Sequence, residues 1–319
     1  MLAYLQLLRL PTVFTAMADI LLGFVLTHRY LYGPLLPGAG QLEPQVGWHE
    51  PRQFVGLLVS SCCLYLSGMV FNDLFDRKQD AAERPGRPIP SGRVSIKAAI
   101  CLGATLMLIG FASAAMISWV SLEVSLLLGV LILGYDGILK QTLLGPLAMG
   151  GCRFLNVLLG ASVQPNLVPA LFAQPQLAAA IGLGVYIVGV TLFARTEART
   201  SSPLRLRFAQ VVINTGFAIL ITLVLMFPIN SPKEVPLVMF LVIAFTVNRR
   251  ASEAVYDPSP VKVQGGIKMM LLSLVMMDAT LIYWSVNTPE GAGFAVIHAM
   301  AAALLVAPAM LLSRYIPMT

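Results

Sequence analysis

One stretch of the chain gathers most of the side chains that could do chemistry: GMVFNDLFDRKQDAAERPGRPIPSGRVS, residues 68–95. Asn72, Asp76 and Asp80 follow one another at intervals of four residues, and Asp73 directly follows Asn72. On a helix, this spacing places the amide and carboxylate oxygens on one side. Such oxygens are ligands of Mg²⁺, which in proteins usually keeps further positions for water and substrate phosphate. The spacing therefore predicts a Mg²⁺ site that also takes a phosphorylated substrate.

Basic side chains follow the acidic ones closely. Arg77, Arg84 and Arg87 lie in the same stretch and could hold phosphate oxygens directly. A solvated loop of mixed charges is the alternative interpretation, and we prefer it for Arg93 and Lys97. It does not suit the Asn and Asp residues, because they begin within one turn of the apolar sequence YLSGMVF. Polar groups at membrane depth are costly and usually functional.

Composition predicts which elements position these residues. Of the 319 residues, 57% are hydrophobic and 11% are charged, and the mean hydropathy is +0.81. A soluble domain carries about 25% charged residues, so we exclude the soluble catalytic classes. Most apolar segments approach the ~20 residues that cross a bilayer core. They fall at 10–27, 54–72, 96–118, 121–139, 144–163, 177–195, 207–228, 235–249, 268–287 and 292–313.

These segments predict an all-α integral membrane protein. We expect a single domain over residues 1–319, folded as a bundle of nine or ten transmembrane helices. The uncertainty of one helix comes from segment 235–249, which is short enough to be tilted, half-inserted or extended by its neighbours.

The distribution of Lys and Arg predicts how the chain crosses the membrane. With the N-terminus in the cytoplasm, the outside loops hold Arg29, Arg52 and Lys233, and Arg153 is left within a span. The other 17 of the 21 basic residues then lie on the cytoplasmic side, as expected of multi-pass proteins. We therefore expect a protein of the inner or plasma membrane, with its N-terminus and residues 68–95 cytoplasmic. The basic residues that give the net charge of +6 would then face anionic membrane lipid, and we expect no nucleic-acid partner.

Several motifs carry a family resemblance. NDLFDRKQD fits the NDxxDxxxD pattern of the UbiA superfamily of intramembrane prenyltransferases, the relatives of 4-hydroxybenzoate polyprenyltransferase. The following ERPGRPIPSGRVS resembles the downstream R-x-x-RP-[LI]-x-x-G-x-[IV]-S pattern of that family. LLRLPTVFTAMADILLG is similar to its first helix, and YDGILK, from Tyr135 to Lys140, to its Y-x-x-x-LK segment. The resemblance covers nearly the whole chain.

The resemblance implies an all-helical membrane bundle that binds an isoprenoid diphosphate. By motif position, Asn72, Asp76 and Asp80 would hold Mg²⁺ and diphosphate, with Arg77 and Lys140 as phosphate contacts. An allylic diphosphate ionises when metal and cations neutralise its leaving group. The resulting carbocation must be kept from water, and a helix bundle in lipid offers a dry, apolar chamber.

The second acidic motif of the superfamily, roughly DxxxD after the sixth span, is altered in this chain. The corresponding stretch is VTLFARTEARTSSPLRLR, whose only carboxylate is Glu197, between Arg195 and Arg199. The two arginines, four residues apart on one helical face, could bind the diphosphate in place of a second metal ion. Alternatively, prenyl transfer has been lost and the fold binds a phosphorylated lipid. FARTEART, GPLAMGGCRFLNVLLG and SLVMMDAT resemble the divergent EboC-like branch of the superfamily.

Ionisable residues inside the predicted spans form another group of candidates. Arg153 and Asn156 lie among glycines in the fifth span, and an Arg buried in lipid must face a partner or a cavity. We expect either phosphate or acceptor binding there, or an internal pair of Arg153 with Asp136 or Asp278. Asp278 and Asp19 are further intramembrane carboxylates that would orient or deprotonate an acceptor, or pair between helices.

The sequence thus predicts a Mg²⁺-dependent prenyltransferase that moves an isoprenoid chain from its diphosphate to an unknown small acceptor. The alternative is a non-catalytic membrane transporter or carrier that binds a prenyl diphosphate or a related lipid. A CDP-alcohol phosphotransferase is set aside, because its D-G-x₂-A-R core is absent from the chain. The predicted catalytic residues are Asn72, Asp73, Asp76, Asp80 and Glu197, of which Asn72, Asp76 and Asp80 would bind the metal. The predicted substrate-binding residues are Arg77, Arg84, Arg87, Tyr135, Lys140, Arg153, Asn156, Arg195 and Arg199.

Overall fold

The structure is a computed structural model that describes residues 2–31, 51–163, 175–195, 200–227, 229, 231–287 and 292–313. Within these ranges, regular secondary structure consists of helices alone. The α-helices are α1 Leu2–Leu8, α2 Val13–Leu31, α3 Pro51–Phe75, α4 Arg77–Glu83, α5 Ile96–Ala115, α6 Trp119–Gly137, α7 Gly145–Ala161, α8 Gln176–Ala194, α9 Pro203–Met226, α10 Glu234–Tyr256, α11 Pro260–Val286, α12 Ala292–Ala303 and α13 Val306–Leu312.

The expected transmembrane bundle is confirmed. In the part of the chain that the structure describes, nine helical segments are long and apolar enough to cross a membrane. Helix α7, with 17 residues, is slightly shorter, but it packs against α2, α6 and α8 inside the bundle. The short apolar segment 235–249 belongs to the 23-residue helix α10, because the polar sequence NRRASEAVY continues the helix to Tyr256.

Contacts between the connections separate the bundle into two ends. At one end, the connections that follow α3, α6, α8 and α10 lie together: Arg195 Nη2 donates to Thr142 O at 2.5 Å, and Ser201 N donates to Pro258 O at 3.1 Å. We call this the basic end, because these connections carry most of the loop arginines and lysines. At the opposite end, Ser118 Oγ donates to Ser162 O at 3.1 Å.

Helices α2 and α7 cross in direct backbone contact near the middle of the bundle. A Cβ added at Gly23 would lie 2.2 Å from Val157 O, and one added at Gly160 would lie 2.6 Å from Ile20 O. Small residues permit this approach, which is a common form of helix packing in membranes. The crossing leaves no space between the two helices at this depth.

The connection from α3 to α5 is built as a folded cap over the basic end. Helix α3 ends at Phe75, and the short helix α4 follows directly. The chain then turns back to Ser95, whose Oγ accepts a hydrogen bond from Ala98 N at 3.2 Å and caps α5. Ile89 and Val94 are buried in a small apolar cluster with Leu7 of α1. This cluster fixes the acidic stretch of residues 72–80 above the interior of the bundle.

Candidate functional site

A cavity of about 690 Å³ opens at the basic end and extends into the bundle between α2, α3, α6, α7, α8 and α11. Its mouth and upper wall carry charged and amide side chains, and its deeper wall is mainly apolar. The polar lining of the mouth consists of Arg9, Asn72, Asp76, Gln79, Asp80, Glu83, Arg84, Arg87, Tyr135, Asp136, Lys140 and Arg195. The deeper apolar lining includes Ala16, Met69, Leu128, Ile132, Met149, Ile187, Val190, Ile267 and Leu271.

Three predicted metal ligands line this mouth together. Asn72 Nδ2 donates to Asp136 Oδ1 at 2.9 Å, and Asp80 Oδ2 accepts from Arg87 Nη1 at 2.7 Å. Asp76 Oδ2 accepts from Lys140 Nζ. Each ligand candidate keeps one side-chain oxygen to which no hydrogen bond is made by the described residues. These oxygens are therefore available to a cation in the cavity.

Asp73 occupies a different place from its neighbours. Its side chain is 4% exposed and does not line the cavity. Asp73 Oδ1 accepts from Arg9 Nη2 at 2.5 Å and lies 3.3 Å from Arg87 Nη1. On a helix, the next position is turned by about 100° from Asn72, so the carboxylate lies behind the wall. There it holds two guanidinium groups whose residues line the mouth.

Arg9 is a site residue that sequence analysis missed. The sequence indicates only a cytoplasmic charge at this position, yet Arg9 lines the cavity and pairs with Asp73. Its backbone has φ 45°, a left-handed conformation that is uncommon for a residue other than glycine. This residue turns the chain between α1 and α2, and Thr12 Oγ1 donates to Arg9 O at 2.8 Å. In the sequence, only its place directly before LPT, at the start of the first long apolar segment, could have indicated that Arg9 belongs to the site.

The predicted cationic residues are only partly assembled in the cavity. Arg84, Arg87, Lys140 and Arg195 line it, whereas Arg77 does not and donates from Nη1 to Leu74 O at 2.9 Å. Arg153 lines the deeper part of the cavity. The predicted carboxylate Glu197 and the last predicted cation, Arg199, lie outside the described residues.

Lys140 reaches the mouth from a tight turn between α6 and α7. A 3₁₀ turn over Leu139–Gln141 follows α6, and α7 starts at Gly145. A Cβ added at Gly145 would lie 2.9 Å from Leu139 O and 3.0 Å from Lys140 Cα. The absence of a side chain at this glycine therefore allows the turn to close and aims the ammonium group at Asp76.

The deep end of the cavity is polar again. Arg153 donates to Asp19 Oδ2 and, from Nη1, to Thr15 O at 2.9 Å. Asn156 Nδ2 donates to Asp19 Oδ2 at 2.8 Å, and Asn156 Oδ1 accepts from Ser61 Oγ at 2.6 Å. We call these four residues, Asp19, Ser61, Arg153 and Asn156, the floor cluster; all four line the cavity.

Arg153 thus pairs with Asp19 rather than hydrogen-bonding Asp136 or Asp278, the two partners considered from the sequence. Asp136 accepts its bond from Asn72 instead. Asp278 of α11 lies beside Asp19 and Arg153, and its fully buried carboxyl group interacts with that of Asp19.

The donor set at the mouth fits a cation that is shared with a ligand. Among the described residues, no group of three or more His, Cys, Asp or Glu side chains converges closely enough to hold a metal ion alone. Asn72, Asp76 and Asp80 provide oxygen atoms, and Mg²⁺ commonly takes one or two carboxylates and completes its sphere with water and phosphate. The surrounding cations suit phosphate oxygens. Such a site would take Mg²⁺ together with a phosphorylated ligand.

A multi-helix membrane bundle whose cavity has a charged mouth and an apolar interior defines the class, an intramembrane protein with a binding cavity at one end. Residues 39–272 match the UbiA prenyltransferase family, and the chain belongs to this family.

Curated relatives share the name digeranylgeranylglyceryl phosphate synthase. The protein from Methanosarcina barkeri is 36% identical over 123 residues, which cover 36% of this chain and 42% of that protein. The one from Saccharolobus solfataricus is 28% identical over 143 residues, which cover 44% of each chain. The chain therefore matches less than half the length of these relatives.

Solved structures share the fold across most of the chain. A UbiA homologue from Aeropyrum pernix K1 has a TM-score of 0.65 at 18% identity, covering 85% of this chain and 96% of that one. A UbiA homologue from Archaeoglobus fulgidus, bound to GPP and Mg²⁺, has a TM-score of 0.62 at 16% identity, covering 94% and 99%. At these identities the similarity establishes the fold.

Proposed function

We propose that this protein is a Mg²⁺-dependent intramembrane prenyltransferase that moves an isoprenoid chain from its diphosphate to a small acceptor. The observation that carries the proposal is the division of one cavity into a charged mouth and an apolar interior. A prenyl diphosphate has the same division, with a strongly anionic head and a hydrocarbon tail. The homologue that is bound to GPP and Mg²⁺ supports this choice of ligand.

In this proposal, Asn72, Asp76 and Asp80 hold Mg²⁺ through the oxygens that carry no hydrogen bond from the described residues. The ion would supply positive charge against the leaving diphosphate. Basic residues alone do not suffice, because the cations of the mouth are already matched by carboxylates. Five cations line it or reach it, namely Arg9, Arg84, Arg87, Lys140 and Arg195. Five carboxylates face them or pair with them, namely Asp73, Asp76, Asp80, Glu83 and Asp136.

The basic residues then bind the diphosphate oxygens and stabilise the negative charge that develops as the bond to carbon breaks. Lys140 and Arg87 are best placed, since both line the cavity and already contact the two carboxylates of the metal site. Arg195 reaches the mouth from the opposite helix, α8. It is the described residue of the altered second motif, and its guanidinium would take the place of a metal-binding acid.

The apolar part of the cavity would enclose the prenyl chain. Leu128, Ile132 and Val190 line this part and offer no nucleophile to the allylic carbon. Excluding water there keeps the reactive carbon for the acceptor. The acceptor itself is proposed to enter from the membrane or the basic end. A glyceryl phosphate compound is the first class to test, because the curated relatives are named for such a product.

We propose further that the basic end faces the cytoplasm. The connections at this end hold the arginines and lysines that follow α3, α8 and α10. Such residues accumulate on the cytoplasmic side of multi-pass proteins, where anionic lipid is also found. Donor diphosphates made by soluble enzymes would then reach the mouth directly.

A carrier that binds a prenyl diphosphate without turnover is the second candidate. The altered second motif favours it, since Arg195 stands there instead of a metal-binding acid. Binding of the donor with Mg²⁺, combined with no pyrophosphate release across a panel of acceptors, would support the carrier.

The test uses purified full-length protein with Mg²⁺, an isoprenoid diphosphate and a panel of acceptors, and measures pyrophosphate release. Asp76→Asn should lower the rate about 100-fold or more, as expected when one charge-stabilising group is lost. Asp257→Asn is the matched control, because Asp257 is an exposed aspartate at the same end of the bundle and outside the cavity. Unchanged activity of Asp76→Asn would refute the proposed metal site.

A further inference from the structure

The depth of the cavity carries an inference that rests on the proposed function and narrows its substrate. The mouth and the floor cluster lie at different depths along the same helices. On α3, Asn72 and Ser61 are eleven residues apart, which corresponds to about 16 Å at 1.5 Å per residue. On α7, Gly145 beside Lys140 and Asn156 of the floor are also eleven residues apart, again about 16 Å. The two helices therefore give the same depth.

Contact with the floor cluster is unfavourable for a hydrocarbon tail. The guanidinium of Arg153 lies over the fully buried Asp19, and the Arg153 side chain is 9% exposed. Water can hydrate this guanidinium, but an isoprenoid methyl group cannot replace that water, and displacing water without replacing its hydrogen bonds costs affinity. Asn156 adds a further polar side chain to the floor. A tail that reaches this depth would therefore lose binding energy there.

Backbone packing closes the space between α2 and α7 directly beyond the floor. Gly23 follows Asp19 by four residues on α2, and Gly160 follows Asn156 by four residues on α7, so both lie one turn deeper. At this level the two helices are in backbone contact, with an added Cβ at Gly23 only 2.2 Å from Val157 O. An extended chain cannot continue between them.

We propose that the floor cluster limits the donor to three isoprene units. Each isoprene unit adds four main-chain bonds, which extend about 4.7 Å if three backbone bonds extend about 3.5 Å. Three units then span about 14 Å and four units about 19 Å, compared with a depth of about 16 Å. A fourth unit has to press on the floor or bend out of the chamber.

The experiment measures Mg²⁺-dependent binding of geranyl, farnesyl and geranylgeranyl thiolodiphosphates, which do not ionise readily and need no acceptor. Binding that excess inorganic pyrophosphate displaces is counted, so that partition of long tails into detergent is excluded. Affinity should rise from geranyl to farnesyl and fall about tenfold for geranylgeranyl. Equal or tighter binding of the geranylgeranyl analogue would overturn the inference. No displaceable binding of any analogue would instead refute the proposed function.

Two variants move the limit in opposite directions. Asp19→Ala combined with Arg153→Leu removes both charges together and shortens both side chains, so the geranylgeranyl analogue should bind at least as tightly as the farnesyl analogue. Ala16→Leu keeps the ion pair and fills the chamber about one turn above the floor, so the fall in affinity should move to the farnesyl analogue. Tyr186→Phe, which removes a buried hydrogen bond to Met270 O away from the cavity, should leave the order unchanged. An order that stays the same in both floor variants would contradict the proposal.

Discussion

Asp73 offers the sharpest test of the site, because sequence and structure give it different roles. The sequence groups Asp73 with the predicted catalytic residues, whereas the structure places its carboxylate behind the cavity wall, against Arg9 and Arg87. Asp73→Asn keeps the size of the side chain and removes its charge. If Asp73 positions the two guanidinium groups, the variant should weaken donor binding and leave the Mg²⁺ requirement unchanged.

The contacts of Asp73 set the expected size of the effect. The side chain is 4% exposed, and each arginine partner is 17% exposed. Removing one partner of a buried charge pair costs about 3–5 kcal/mol. Arg87 keeps its 2.7 Å contact with Asp80, and both arginines reach solvent, so we expect about 2 kcal/mol. The thermal unfolding midpoint in detergent should then fall by a few degrees, roughly 5 °C.

The deciding assay is a Mg²⁺ titration of pyrophosphate release at saturating acceptor. Asp73→Asn should raise the KM for the donor roughly tenfold, which corresponds to the loss of one well-placed charged contact. The Mg²⁺ concentration for half-maximal rate should match that of the unchanged protein. Asp76→Asn is the comparison, because it should raise this concentration strongly. The positioning role is refuted if Asp73→Asn shifts the Mg²⁺ requirement as far as Asp76→Asn does.

Two further changes test the mouth and the packing. Lys140→Met should lower kcat for pyrophosphate release about 100-fold, because the cation at this position contacts Asp76 and would face the diphosphate. Lys140→Arg keeps the positive charge and should retain part of the activity. Equal rates for the two variants would exclude a role for the charge. Gly23→Leu should abolish folded protein in size-exclusion chromatography, since overpacking against backbone that cannot shift costs about 3 kcal/mol or more, whereas Gly265→Leu, with open space around it, should be tolerated. Folded Gly23→Leu protein would show that α2 and α7 can move apart enough to accept a leucine side chain at their crossing.

The helices of this protein were predictable because their signal is local. Long apolar runs and the bias of basic loops are enough to define the spans and their alternation. The weakest segment, 235–249, could not be bounded from hydropathy, since α10 continues through the polar residues to Tyr256. Helix propensity and backbone hydrogen bonding extend α10 beyond the apolar stretch, and hydropathy measures neither of them.

Helix periodicity and the family motifs predicted which residues belong to the site, but not which of them contact one another. The four-residue interval of Asn72, Asp76 and Asp80 indicates a shared side, and the structure places all three in one cavity mouth. The partners of these residues come from distant parts of the chain: Lys140 lies 64 residues from Asp76, and Arg9 lies 64 residues from Asp73. Periodicity says nothing about such contacts. A single arginine at the start of a span is therefore indistinguishable from a topology signal until the helices are packed.

The ion pairs at the mouth also explain how one set of residues could serve both a metal and a diphosphate. In the structure, Asp76 is paired with Lys140, and Asp80 with Arg87. If the carboxylates held a divalent cation, the ammonium group of Lys140 and the guanidinium group of Arg87 would be free to bind phosphate oxygens. Each protein pair is then exchanged for two new attractive contacts, and no charge is left alone in a poorly solvated site. This exchange requires donor and Mg²⁺ to bind together, because either one alone would leave half of the released groups unpaired.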